Sequence, residues 1–120
     1  QLTSLDVSGA TALTHLICHY NHLTNLEVSN NTALTSLGCS SNHLTTLDVS
    51  NNTALNNLEC HYNQLTTLDV RNGNNTNITT FTCTNNPNLT CINVDNAAWS
   101  TANWTNSWVI DPHYFSEQCP

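Results

Sequence analysis

Leu13-Thr14-His15-Leu16-Ile17-Cys18-His19-Tyr20-Asn21-His22-Leu23 recurs 21 residues on as Leu34-Thr35-Ser36-Leu37-Gly38-Cys39-Ser40-Ser41-Asn42-His43-Leu44. It recurs again as Leu55-Asn56-Asn57-Leu58-Glu59-Cys60-His61-Tyr62-Asn63-Gln64-Leu65. Leu26, Leu47 and Leu68 keep the same step, with Val28, Val49 and Val70 two residues beyond. In a fourth copy, two residues longer, Ile78, Phe81, Cys83 and Asn86 take the corresponding places, and Arg71-Asn72-Gly73-Asn74-Asn75 absorbs the insertion. Half copies flank the array: Leu2, Leu5 and Val7 before it, Leu89, Ile92 and Val94 after it. Self-similarity at this period marks a solenoid in which each copy is one coil. Leu16-Ile17-Cys18 and Leu26-Glu27-Val28 alternate in and out, as strands do. The fold class expected is therefore mostly β, a solenoid of parallel sheets with little helix.

Within that frame the invariant letters are scaffold. A buried Asn in every coil is costly unless its amide bonds neighbouring backbone, so Asn21, Asn42, Asn63 and Asn86 are expected to tie coil to coil. Ser29-Asn30-Asn31-Thr32-Ala33 and Ser50-Asn51-Asn52-Thr53-Ala54 have turn composition. The column Thr11, Thr32, Thr53 and Thr76 is expected to hydrogen-bond between coils.

Composition narrows the function. The 120 residues suit one domain and include 21 Asn, 19 Thr, no Lys and the single cation Arg71, for a net charge of −7. Nucleic-acid binding is excluded as a class, because displacing phosphate counterions takes several basic side chains. No apolar run is long enough to span a bilayer, so membrane insertion is not expected. The opening at Gln1, without a signal peptide, reads as a mature or excised piece.

The pattern Leu13-x-x-Leu16-x-Cys18-x-x-Asn21-x-Leu23, with its two successors, resembles the signature of the leucine-rich-repeat family. It is most similar to the short, cysteine-bearing repeat of secreted bacterial surface proteins. The resemblance implies a curved right-handed solenoid with a parallel sheet on its concave side, and recognition of a protein or glycan by that sheet. Copies this short leave little room for convex helices, so a second sheet is expected on Leu26-Glu27-Val28 and its equivalents. Residues 1–94 would form the solenoid and residues 95–120 a C-terminal cap. There the repeat stops and Trp99, Trp104, Trp108, Tyr114 and Phe115 appear. Asp95 is expected to cap a helix over residues 96–102, and Trp108-Val109-Ile110 to add a strand. The stretch between Cys91 and Cys119 resembles the terminal cap of the same subtype.

Cys18, Cys39, Cys60 and Cys83 lie in one inward column, where stacked parallel Cβ vectors make poor disulfide geometry. These four are expected as free thiols, with Cys91 and Cys119, off that column, forming one disulfide. A disulfide points to an oxidising location, extracellular or at the cell surface. Zinc is the rival for the cysteines, but no C-x-x-C pair supports it.

Function is expected where the repeat varies. The outer positions of the first sheet are His15, Ile17 and His19, then Ser36, Gly38 and Ser40, then Asn57, Glu59 and His61, then Thr80, Thr82 and Thr84. Tyr20, Ser41, Tyr62 and Asn85 lie just beyond the strand. With rungs about 4.8 Å apart, Tyr20 and Tyr62 would stand about 10 Å apart over a floor of Gly38, Ser40 and Ser41. That shallow trough, with His15, His19, Glu59 and His61, is the candidate site for an extracellular protein or glycan. The acidic column Asp6, Glu27, Asp48 and Asp69 lacks a calcium-loop pattern and reads as a solvated stripe. His22 and His43 share a column without a third ligand, so neither metal nor cofactor is expected. Catalysis is not expected: no nucleophile with a base and an orienting group is apparent. Two alternatives stand beside recognition. A regular Thr/Asn-rich solenoid could present an ice-binding lattice of hydroxyls, although the nearest Thr-x-Thr row, Thr80-Phe81-Thr82-Cys83-Thr84, is confined to one rung. An uncapped first coil also offers an unpaired edge for end-to-end association or a filament.

Overall fold

The computed structural model describes residues 1–105, 109 and 113–120. It is a β-solenoid of about five turns. Strands β1 (His15–Ile17), β2 (Ser36–Gly38), β4 (Asn57–Glu59) and β6 (Thr80–Thr82) form one parallel sheet in that order. Strands β3 (Thr46–Asp48), β5 (Thr67–Asp69), β7 (Cys91–Asn93) and β8 (Tyr114–Ser116) form a second. The first sheet is in register with the repeat, Leu16 opposite Leu37, Leu37 opposite Leu58 and Leu58 opposite Phe81. Each strand is three residues long because only three positions separate the two corners of a short coil.

Between the sheets runs one apolar spine. Leu34, Leu37, Leu44, Leu55, Leu58, Leu65 and Leu68 are fully buried, and Cys39, Cys60 and Cys83 lie with them. The four in-line cysteines are free thiols, acting as small hydrophobes in the buried spine. Asn42 and Asn63 carry that ladder. Asn63 Oδ1 accepts from Leu44 N–H at 3.0 Å, and its Nδ2 donates to the carbonyls of Cys39 and Cys60 at 3.1 Å. Asn42 does the same one coil earlier, through Leu23, Cys18 and Cys39.

A second asparagine ladder runs on the opposite corner, where the sequence shows only turn composition. Asn52 is fully buried and donates to the carbonyls of Val28 and Asn31; Asn31 donates to those of Val7 and Ala10. The Thr11, Thr32, Thr53 and Thr76 column does not bond between coils as expected, because asparagine already occupies the inner side of that turn. These threonines are exposed. The hydroxyls that do reach the preceding coil belong to Thr35, Thr66 and Thr79, bonded to the carbonyls of Thr14, Thr45 and Asn56.

Other expectations shift by a residue. Strands β3 and β5 are Thr-Leu-Asp rather than Leu-Asp-Val, and Leu26-Glu27-Val28 of the first coil is not a strand. The carboxylate column has a structural task. Asp6, Glu27, Asp48 and Asp69 each accept the backbone N–H two residues on, which closes the corner that follows.

After Val94 the chain forms helix α1 (Ala97–Asn103), capped by Asn96, whose side chain accepts from Trp99 N–H. Asp95 is not the cap. Its carboxylate instead accepts from Gly73 and Asn75 N–H, both at 3.1 Å, and so ties the inserted loop to the end of the array. Trp104 is buried, with its ring 4.5 Å from Phe81 and 5.7 Å from Phe115. It covers the core section that the last coil leaves open, and the larger Phe81 replaces leucine where it meets that ring. The expected strand over 108–110 lies outside the described residues, apart from Val109 in a buried turn; the terminal strand is β8, paired in parallel with β7. Cys91 and Cys119 form the expected disulfide, with their Cα atoms 5.9 Å apart.

Candidate functional site

The outer face of the first sheet brings most of the candidate residues together, though not as an open trough. Tyr20, Ser41, Tyr62 and Asn85 stand in one column with left-handed backbone, φ of 59°, 58°, 56° and 60°. Only the sharp corner before each ladder asparagine requires this conformation, which is uncommon for non-glycine residues. It throws both tyrosines outward, leaving Tyr20 75% and Tyr62 51% exposed.

Between them the expected floor is roofed. Gly38 and Ser40 are buried, because the His19 ring lies across the second coil. A Cβ on Gly38 would meet His19 Cε1 and Nε2 at 2.7 Å, so the absence of a side chain at 38 makes room for the imidazole. Ser40 N–H donates to His19 Nδ1 at 3.0 Å, and the Ser40 hydroxyl lies 2.5 Å from the same nitrogen. An Nδ1 that accepts leaves the proton on Nε2, which faces Glu59 Oε1 at 3.6 Å. On the other flank His61 Nδ1 bonds Thr82 Oγ1 at 2.7 Å. Burial depresses the His61 pKa most; the Glu59 carboxylate raises it and His19 lowers it. The two histidines thus flank one carboxylate, each reaching the side chain 21 residues on. Edge-on contacts seat Tyr20 on His19 (6.3 Å) and Tyr62 on His61 (5.7 Å).

The other positions divide. Ser41 is half buried in the corner between the tyrosines, while His15 is exposed at the start of β1 and bonds Thr14 Oγ1 at 2.9 Å. Ile17 is 57% exposed beside His19, an apolar element that the sequence placed outward but did not single out. The face therefore offers two tyrosines and an isoleucine around a His19–Glu59–His61 cluster. It can stack and hydrogen-bond a ligand.

Among the described residues no group of three or more His, Cys, Asp or Glu side chains is placed to hold a metal ion. The His22 and His43 rings stack at 5.3 Å in a hydrogen-bonded row ending on Gln1 and Gln64. No helix among the described residues is long and apolar enough to cross a membrane.

No protein-family model matches the chain, and no curated protein matches it. Among solved structures it matches the functional domain of InlJ from Listeria monocytogenes, described as including a cysteine ladder, at 30% identity and a TM-score of 0.56. The match covers 78% of this chain and 27% of that one, so the chain spans about a quarter of its length. InlJ is a leucine-rich-repeat protein. The in-register Cys18, Cys39, Cys60 and Cys83 column is the feature the two share by description, and this chain is a leucine-rich-repeat-like β-solenoid similar to that domain.

Proposed function

We propose that this chain is a non-catalytic recognition module that binds an extracellular protein through the outer face of the first sheet. The observation that carries this is the pair of exposed tyrosines, Tyr20 and Tyr62, held two coils apart on either side of the His19–Glu59 contact. Exposed aromatics on a rigid frame gain contact area at low entropic cost, and tyrosine is among the residues that dominate interface energies. The likeness to InlJ, a bacterial surface protein, favours display at a cell surface or secretion, as does the Cys91–Cys119 disulfide. A glycan is the other ligand class this face would suit.

Tyr20→Ala combined with Tyr62→Ala tests the site, because both rings are exposed and their loss leaves the core untouched. Host-cell or matrix extract passed over the immobilised wild-type chain should retain a binder that the double variant releases, with both chains unfolding at the same temperature. Equal retention by the two chains would discard the face.

Ice binding keeps one specific support. The Thr11, Thr32, Thr53 and Thr76 hydroxyls are exposed on successive coils, and among the described residues none has a hydrogen-bond partner. The absence of thermal hysteresis and of recrystallisation inhibition would remove that second reading.

A further inference from the structure

Between the inserted loop of the fourth copy and helix α1 lies a cleft of about 460 Å³. That is within the range of about 300–1,000 Å³ in which small ligands are buried. Its walls include Arg71, Thr76, Asp95, Asn96, Trp99 and Glu117. None of these is an outer position of the first sheet.

Nearly every polar group around the cleft is already held in place. Arg71 donates from Nε and Nη2 to the Asp69 carboxylate at 2.9 and 2.7 Å, and from Nη1 to the Glu117 carbonyl at 3.0 Å. The two N–H groups of the loop fix the Asp95 carboxylate, and Ala97 N–H fixes Glu117 Oε2 at 2.6 Å. Trp99 is half buried, its ring edge-on to Trp104 at 5.7 Å. A flat aromatic and several planar polar groups therefore surround an open volume without further ordering, which removes much of the entropic cost of binding.

The charges decide the ligand class. Asp69 neutralises Arg71, and Asp95 and Glu117 add two negative charges, in a chain of net charge −7. An anion is disfavoured there. A cation gains little, since both Asp95 oxygens already accept N–H bonds. A neutral polyhydroxylated ring fits both halves of the lining: its apolar C–H face stacks on an indole, and its hydroxyls both donate to carboxylates and accept from amide and guanidinium N–H. We infer that this cleft binds a short neutral glycan, with Trp99 as the platform and Asp95, Asn96 and Glu117 as the hydroxyl partners.

The test is titration of the full isotope-labelled chain with cellobiose, maltose and N,N′-diacetylchitobiose, each to about 20 mM, so that millimolar affinities are seen. At least one should shift the Trp99 indole and the Gly73 and Asp95 amides saturably. Trp99→Ala should weaken that binding tenfold or more. Thr76→Arg fills the cleft from an exposed position and should abolish binding without moving the unfolding midpoint, which separates a lost site from a lost fold. Three sugars without saturable shifts would overturn the site, as would binding that survives Thr76→Arg. Shifts confined to Tyr20 and Tyr62 would also overturn it, while leaving the first-sheet face standing.

Discussion

Asn63 is buried, yet its amide bonds the backbone of two successive coils through Leu44, Cys39 and Cys60. Asn63→Ala leaves the Leu44 N–H without a partner where water cannot replace it, at about 1–3 kcal/mol, while the Cys39 and Cys60 carbonyls keep one donor each, from Asn42 and Asn86. Urea unfolding should show a loss of about 1–3 kcal/mol; a loss below about 1 kcal/mol would mean that the ladder is not the tie between coils. Gly38 predicts the opposite balance. In Gly38→Ala the new methyl collides with the outer end of the His19 ring, which is free to swing into solvent. Stability should change by less than about 1 kcal/mol. The His19 ring resonances should move, however, because Nδ1 leaves Ser40 and Nε2 leaves Glu59. Unmoved resonances would show that His19 does not sit on Gly38 in solution.

Strands of three residues are too short to be stable alone, so each coil depends on the next, and the last depends on what covers it. At that end Trp104 packs against Phe81, while the Cys91–Cys119 bridge closes a separation of 28 residues. In the chain-entropy model such a loop contributes on the order of 3 kcal/mol. The pair Cys91→Ser and Cys119→Ser should lower the thermal midpoint accordingly. Amide exchange should then rise first in α1 and β8, before β2 and β4. Uniform loss of protection across all coils would indicate that the terminal segment and the array unfold as one unit.

Across the molecule the in-line thiols give a pH signature. Burial pushes the Cys39 and Cys60 thiols well above their ordinary range, and neighbouring thiols in the column add to it. The folded chain therefore keeps protons that the unfolded chain releases above about pH 8.5. Protons are then bound more tightly in the native state, so stability must fall as pH rises through that point. The slope is about 1.4 kcal/mol per pH unit for each such thiol. Denaturation at pH 8, 9 and 10 checks this, and a Cys60→Ala variant should show a shallower decline. Flat stability over that interval would mean the column is solvated.

Much of this was legible in the linear order. A side chain that returns every 21 residues must occupy one place in a coil, so the leucine spine, the Asn42 and Asn63 ladder, the free thiols and the outward tyrosines all follow from period and polarity. The roof of His19 over Gly38 and Ser40, the second ladder at Asn31 and Asn52, and the cleft joining Arg71 to Trp99 and Glu117 did not. Each depends on which of several permitted rotamers or turns wins once neighbouring coils and the terminal segment are packed together. Periodicity specifies a position within one coil; contacts between residues far apart outside the repeat are set by packing alone.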